Sequence, residues 1–250
     1  SKELQKYRKK VITDLDLLYL SNKKFKSIVI TGTNGKSTTS KIIAHLLQKN
    51  KFKVKLGGNI GTPVLNLNVR QDTFFIIEAS SFQLSYSKFI HPNYALLLNI
   101  TNDHLDWHGS KQNYINSKFR IFNLQNKNDY ALINKNLVKI YKKKKYLGKR
   151  INLEIKDYLK IKSKINNDYL NLNINDENMS FVLSISKLLK IKQKLFIQSL
   201  KSFKGLPHRY EIFLKRKNVT FINDSKATTL EAAKFALNNR RLRKPLAARK

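Results

Sequence analysis

An α/β fold with a doubly wound, mostly parallel sheet is predicted by three observations. Short apolar runs rich in β-branched residues recur along the chain, at Ser27–Thr31, Thr73–Glu78 and Tyr94–Ile100. Helical patterns separate them. Each run ends in a turn that carries glycine, carboxylate or histidine. Continuous apolar strands joined through helices are buried on both faces, which is the signature of a parallel sheet.

The elements follow in order. Ser27–Thr31 is the first strand and runs into a glycine turn at Gly32–Gly35. Ser37–Asn50 reads as a helix because Ile42, Ile43, Leu46 and Leu47 fall on one face. Phe52–Leu56 is a second strand, closed by the loop Gly57–Pro63. Thr73–Glu78 and Tyr94–Ile100 are the third and fourth, Lys111–Asn123 is helical, and Asp129–Asn134 is a fifth strand. The alternation in Tyr169–Ile174 predicts a half-exposed strand, and Asn178–Leu189 a helix. Gly205–Arg209 has the composition of a domain-boundary loop. Beyond it lie strand-like Tyr210–Leu214 and Val219–Ile222 and a helical Thr228–Asn238.

Composition narrows the function classes. The 250 residues contain no cysteine, which removes disulfide-stapled folds, thiolate zinc sites and thiol nucleophiles. At 41% hydrophobic and 10% aromatic, the chain can bury a core. No apolar run reaches the ~18–20 residues of a bilayer span, and Ser1–Lys10 is too polar for a signal peptide, so a cytoplasmic protein without a membrane partner is expected. The net charge of +34 invites a polyanion reading. Only ten of the fifty basic residues are arginine, the better bidentate reader of phosphates and bases. The lysines are spread along the chain together with over-used Asn and Ile, as an AT-rich coding bias produces, and no specific nucleic-acid partner is expected. Residues 240–250 differ abruptly: they hold four of the ten arginines and no asparagine, and read as a tail, a truncation or a change of frame.

The strongest local signal is strand, Gly32-Thr33-Asn34-Gly35-Lys36-Ser37, helix. Such a turn points backbone N–H groups at an anion. Lys36 is placed to reach nucleotide phosphates, and the Ser37 hydroxyl a Mg²⁺ ion. The spacing is shorter than the usual G-x-x-x-x-G-K-[ST], since Ile30 stands where the first glycine belongs. Glu78 and His104 fall at carboxyl ends of strands, the edge where open parallel sheets bind ligands. A hard cation there takes oxygens from Ser37, Glu78 and phosphate.

Six segments stand in an order that resembles the Mur ligase family: Gly32–Thr38, Gly58–Gly61, Glu78–Leu84, Asn99–Asp106, Gly205–Arg209 and Asn223–Thr228. Ser80-Ser-Phe-Gln-Leu84 and the last two segments resemble the branch that adds D-glutamate. The resemblance implies an ATP-dependent ligase that joins D-glutamate to UDP-N-acetylmuramoyl-L-alanine through an acyl phosphate, in peptidoglycan synthesis. It implies ATP contacts from Gly32, Thr33, Asn34, Gly35, Lys36, Ser37 and Thr38. It adds Asn175 and Asn178 at the base, Arg209 at the γ-phosphate, and Asp224 and Lys226 at ribose and phosphate. Asn59, Ser80, Gln83 and His104 are implied at the UDP-sugar. Two Mg²⁺ ions are implied, near Ser37, Glu78 and His104, with Lys118 matching a lysine that the family carbamylates with CO₂. Lys36, Glu78, His104 and Lys118 are thus the implied catalytic set. Trp107, Ile174 and Thr229 depart from the family pattern.

The implied organisation is a remnant or linker at 1–20, a central ATP-binding domain at 21–204, part of a third domain at 205–239, and the basic tail. A monomer is expected, with little or no ligation by these 250 residues alone. Two other readings stay open: a sister ligase, such as a folate-polyglutamating enzyme, and a basic nucleotide- or nucleic-acid-binding module without ligase chemistry.

Overall fold

The computed structural model describes residues 6–7, 10–21, 25–68, 72–217 and 219–227. The expected helix Thr228–Asn238, Thr229 and the tail at 240–250 lie outside the described residues.

Six strands form one sheet: β1 (Lys26–Thr31), β2 (Lys53–Gly58), β3 (Thr73–Glu78), β4 (Tyr94–Leu97), β5 (Tyr130–Ile133) and β6 (Lys149–Ile151). Their order is β2-β3-β1-β4-β5-β6, and every pairing is parallel. β3 is buried along its whole length and β1 after its first residue, whereas the edge strands β2 and β6 are largely exposed. The apolar runs therefore mark the centre of the sheet.

Helices cover both faces. Ile28 and Ile30 of β1 point into a core with Ile42, Ile43, Leu46 and Leu47 of α2 (Lys36–Lys49). On the helical side that core is closed by α7 (Ile155–Ile165), α8 (Asp176–Leu188) and α9 (Gln193–Lys201), through Tyr158, Phe181 and Phe196. Val29, Phe75, Ile77, Ala95 and Leu97 point the other way. There they meet Leu15 and Leu18 of α1 (Asp14–Leu20) and Leu84 of α3 (Ser81–Tyr86). This division within one strand is the period of two that a pleated strand imposes.

A short α4 (Leu105–His108) and α5 (Lys111–Phe119) follow β4, and α6 (Val138–Lys143) lies between β5 and β6. An antiparallel pair, β7 (Glu211–Arg216) and β8 (Val219–Asn223), follows the main sheet in the chain.

Several expected elements change. The run Tyr94–Ile100 stops being a strand at Leu97, because Asn99 turns to bond the glycine loop after β1. The helix expected over Lys111–Asn123 tightens into a 3₁₀ turn at Arg120–Phe122. Tyr169–Ile174 is not a strand. The Asn167 side chain accepts from Leu170 N–H and donates to the carbonyls of Leu200 and Phe203, and Asn175 Nδ2 donates to Tyr169 O. Side chains thereby take the hydrogen bonds a ladder needs, and the alternation reflects only that Leu170 points inward.

The stretch 1–20, expected as a remnant or linker, contains a packed helix. Thr13 caps α1 in a reciprocal box with Asp16. Asp16 is 0% exposed and accepts from Thr13 N–H at 3.0 Å and from Lys88 and Phe89 N–H at 2.8 Å each. This carboxylate fastens α1 to the segment after α3. Asp16→Ala removes the acceptor of three backbone N–H groups, and hydrogen bonds to charged groups contribute about 1.5–3 kcal/mol each. Urea unfolding is expected to show a loss of ~3 kcal/mol; a loss below ~1 kcal/mol contradicts this anchoring.

Candidate nucleotide and acyl-transfer site

β1 and β4 are neighbours whose connections leave in opposite directions, β1 toward β2 and β4 toward β5. The crevice at their carboxyl ends is therefore the topological switch point of the sheet. The glycine loop starts there.

Gly35 caps α2 with φ +83°, and a Cβ on it would stand 2.3 Å from Asn178 Oδ1. Only glycine allows both the left-handed turn and the close approach of α8. The first backbone hydrogen bond of α2 runs from Thr39 N–H to Gly35 O, so the amides before Thr39 have no partner within the helix. An anion is the natural acceptor for such groups.

Lys36 folds back over the loop, donating to Gly32 O at 2.9 Å and Thr33 O at 2.8 Å. Lys118, on α5, donates to the same Gly32 oxygen at 2.8 Å and lies 4.6 Å from the centroid of the Tyr114 ring. It is 1% exposed. Burial, and secondly Lys36, hold its pKa well below that of an ordinary lysine, which favours the neutral amine. Lys36 is lowered as well, chiefly by burial, against the opposing pull of Glu78 and Asp103.

Glu78 ends β3 and is 2% exposed. Its Oε1 accepts from Asn59 Nδ2 at 3.0 Å, while Oε2 is buried without a partner. Asn59 reaches it because the Gly58 backbone lies against Glu78; a Cβ on Gly58 would be 2.3 Å from Glu78 O. A buried carboxylate oxygen with no donor suits a cation.

Arg209 Nη2 donates to Ser37 Oγ at 3.2 Å, which brings the segment after Gly205 onto the glycine loop. Asp224 accepts from Tyr210 N–H at 3.0 Å. Arg209, Asp224 and Lys226 line one cavity of about 410 Å³ together with Gly35, Asn175 and Asn178. A larger cleft of about 880 Å³ lies beside β7 but takes only Gly205, Leu206 and Pro207 from the motifs.

Not every expected residue is free. Ser80 and Gln83 bond each other as the capping box of α3, and Gln83 Nε2 donates to Asp14 of α1 at 3.1 Å. His104 sits in the left-handed region with φ +50°, about half exposed, 3.4 Å from Asp103 and packed on Phe82.

Three neighbours escape single-sequence reading. The Tyr114 hydroxyl bonds Thr33 Oγ1 at 2.9 Å, and burial raises its pKa to about 12. His108 is buried on Ser81, with its pKa pushed down to about 4 by burial and then by Lys118 and His104. Glu177 lines the cavity and accepts from Asn134, with its pKa raised by burial. The Tyr114–Lys118 spacing of i, i+4 was a visible signal; the other two depend on tertiary packing.

Two lysines against one carbonyl cost stability when both are charged. Lys118→Met is expected to raise the melting temperature by several degrees at pH 7 in CO₂-free buffer. The folded pKa of Lys118 lies below its unfolded value, so wild-type stability climbs with pH through the window between them, and the advantage of Met shrinks as pH rises toward 10.5. A destabilised Met variant, or a pH-independent gap, contradicts this electrostatic account.

The pattern of the Mur ligase middle domain matches residues 30–199. The UDP-N-acetylmuramoylalanine--D-glutamate ligase of Rickettsia felis is 34% identical over 244 residues, covering 89% of this chain and 54% of that protein. The protein of the same name from Buchnera aphidicola subsp. Schizaphis graminum is 34% identical over 258 residues, covering 93% of this chain and 56% of that one. The chain spans about half the length of these curated relatives. Among solved structures, the MurF ligase of Thermotoga maritima in complex with ADP aligns with TM-score 0.65 at 20% identity, over 92% of this chain and 61% of that one. E. coli FolC in complex with DHPP and ADP gives 0.60 at 15% identity, over 97% and 75%. At those identities the likeness is one of fold. Motif order, sheet order and the match over residues 30–199 agree: the chain belongs to the Mur ligase family and carries its middle domain.

Proposed function

We propose that this chain carries the ATP-binding half of a ligase that adds D-glutamate to UDP-N-acetylmuramoyl-L-alanine. The observation that carries the reading is the meeting of Lys36, Lys118 and the unpartnered Glu78 oxygen with the open end of α2, all at the switch point. The relatives named for D-glutamate addition support the choice of substrates.

The adenine nucleotide occupies the cavity between the glycine loop and Asn175, Asn178, Arg209, Asp224 and Lys226. The amides that open α2, with Thr38 behind them, face its phosphates. Lys36, which now satisfies itself on the carbonyls of Gly32 and Thr33, turns to the phosphate oxygens. The substrate carboxylate attacks the γ-phosphorus, the bond to the bridging oxygen breaks, and ADP leaves as the acyl phosphate forms. The amine of D-glutamate then attacks the acyl carbon. The tetrahedral intermediate expels phosphate, and the amine gives up a proton as the amide forms. Catalysis is positioning and neutralisation of converging anions.

Mg²⁺ fits the donor set. Among the described residues no three His, Asp or Glu side chains converge as a cage, while the Ser37 hydroxyl and Glu78 Oε2 are hard oxygen donors. That is the sparse protein share usual for a Mg²⁺ that keeps water and phosphate oxygens. When bound, Mg²⁺ neutralises and orients phosphate oxygens. His104, exposed beside Asp103, is assigned to the UDP-sugar side and to a second ion. Asn59 acts through Glu78. Ser80 and Gln83 are assigned to that side too, at the start of α3, where their side chains are engaged in its cap.

Carbamylation suits Lys118, because CO₂ adds only to a neutral amine: the nitrogen forms the C–N bond and releases one proton. Burial and Lys36 supply that neutral amine. The product is an anion beside Lys36, which relieves the repulsion between the two lysines.

Phosphate release from ATP by the whole protein bearing these residues is expected only with both UDP-N-acetylmuramoyl-L-alanine and D-glutamate present. Lys118→Ala is expected to reduce turnover by ~10²-fold or more. Release that ignores D-glutamate, or prefers another amino acid, overturns the substrate assignment. Full activity of the Ala variant removes Lys118 from the mechanism.

A further inference from the structure

The glycine loop has two residues between its glycines where the longer phosphate loop has four, so it has fewer internal groups to hold its own shape. Asn99, the second residue after β4, supplies what it lacks. Its backbone carbonyl accepts from Thr33 N–H at 3.0 Å. Its Oδ1 accepts from Asn34 N–H at 2.8 Å, and its Nδ2 donates to Asn34 O at 3.1 Å. The backbone of Asn34 fixes which end of the amide faces which, because an N–H can only donate and a carbonyl only accept. Asn99 lines the nucleotide cavity with Asn34 and Glu177.

The division of labour among the loop amides follows. Thr33 and Asn34 spend their N–H groups on Asn99. Those before Thr39 in the opening turn of α2 have no helical acceptor. We propose that Asn99 is a positioning residue for this phosphate loop: its three hydrogen bonds set the first half of the loop so that the amides from Gly35 onward converge on the anion. Asn99 lines the cavity but acts through the shape of the loop, so it controls affinity for phosphates more than for the nucleoside. The inference rests on the nucleotide reading of the site.

The test uses the 250-residue chain with ADP and with adenosine as probes, by calorimetry, together with amide hydrogen exchange at Asn34. Asn99→Ala removes both side-chain bonds and keeps the backbone one. It is expected to weaken ADP about tenfold, the worth of one or two such bonds, to leave adenosine within about twofold, and to speed exchange of the Asn34 amide. Asn99→Asp keeps the acceptor for Asn34 N–H and loses the donor to Asn34 O. It is expected to keep Asn34 slow to exchange and to bind ADP better than the Ala variant, and it serves as the test variant if Ala fails to fold. Unchanged ADP affinity in Asn99→Ala, or an equal loss for ADP and adenosine, overturns the proposal; in the Asp variant, a loss for adenosine as large as for ADP does the same. Wild-type protein that binds neither probe overturns the nucleotide reading itself and is thereby distinguished from failure of the clamp.

Discussion

One carbonyl oxygen, that of Gly32, accepts from both Lys36 and Lys118. Much of the site depends on this convergence. It requires β1 at the centre of the sheet, so that the loop after it stands between β3 and β4. It requires α5 to pass close enough for Lys118 to reach across from the far side. It also places two amines, both with pKa values lowered by burial, where the first-turn amides of α2 already point. The loop's own carbonyls answer the lysines only in part. The anionic ligand proposed above would supply the neutralisation that these carbonyls do not.

Glu78 and Lys118 are two sides of that imbalance. Glu78 has an oxygen with no donor, and Lys118 is driven toward its neutral form. A direct pair between them would satisfy both, yet Lys118 turns to Gly32 and Glu78 to Asn59. Keeping the two apart leaves Glu78 Oε2 without a donor and Lys118 on a neutral carbonyl. Such frustration at a site is stabilised from outside it, by the two apolar layers on the sheet and by anchors such as Asp16.

The central strands and the glycine loop were legible because burial on both faces writes a continuous apolar run, and a left-handed cap beside a helix demands glycine. Other parts were not. Tyr169–Ile174 alternates like a strand, but Asn167 and Asn175 take its hydrogen bonds from positions that no periodicity reveals. α7 and α9 carry the core residues Tyr158 and Phe196 amid lysines and were not separable from solvated chain. α1 had a visible start, Thr13 followed by Asp16 at the third position, but its seven residues are too few for a helical period to stand out. Ser80 and Gln83 were legible as motif residues, and the structure adds that they cap α3 and hold α1 through Asp14. Asn99 lay inside a recognised motif, yet its partner 65 residues earlier is set only by β4 pairing with β1.

The position of charge matters more here than its amount. Fifty basic residues give the chain its net +34, but most of the lysines with described side chains are exposed, where screening and solvation leave each with little leverage. The cations that meet the glycine loop are few: Lys36, Lys118 and Arg209. Lys118 is fully buried and Lys36 half-buried, and burial lowers the pKa of both. Arg209 comes from the segment after Gly205 that leads into β7. The glycine loop is therefore met from two stretches of chain, by Lys36 and Lys118 from helices beside the sheet and by Arg209 from the segment before β7.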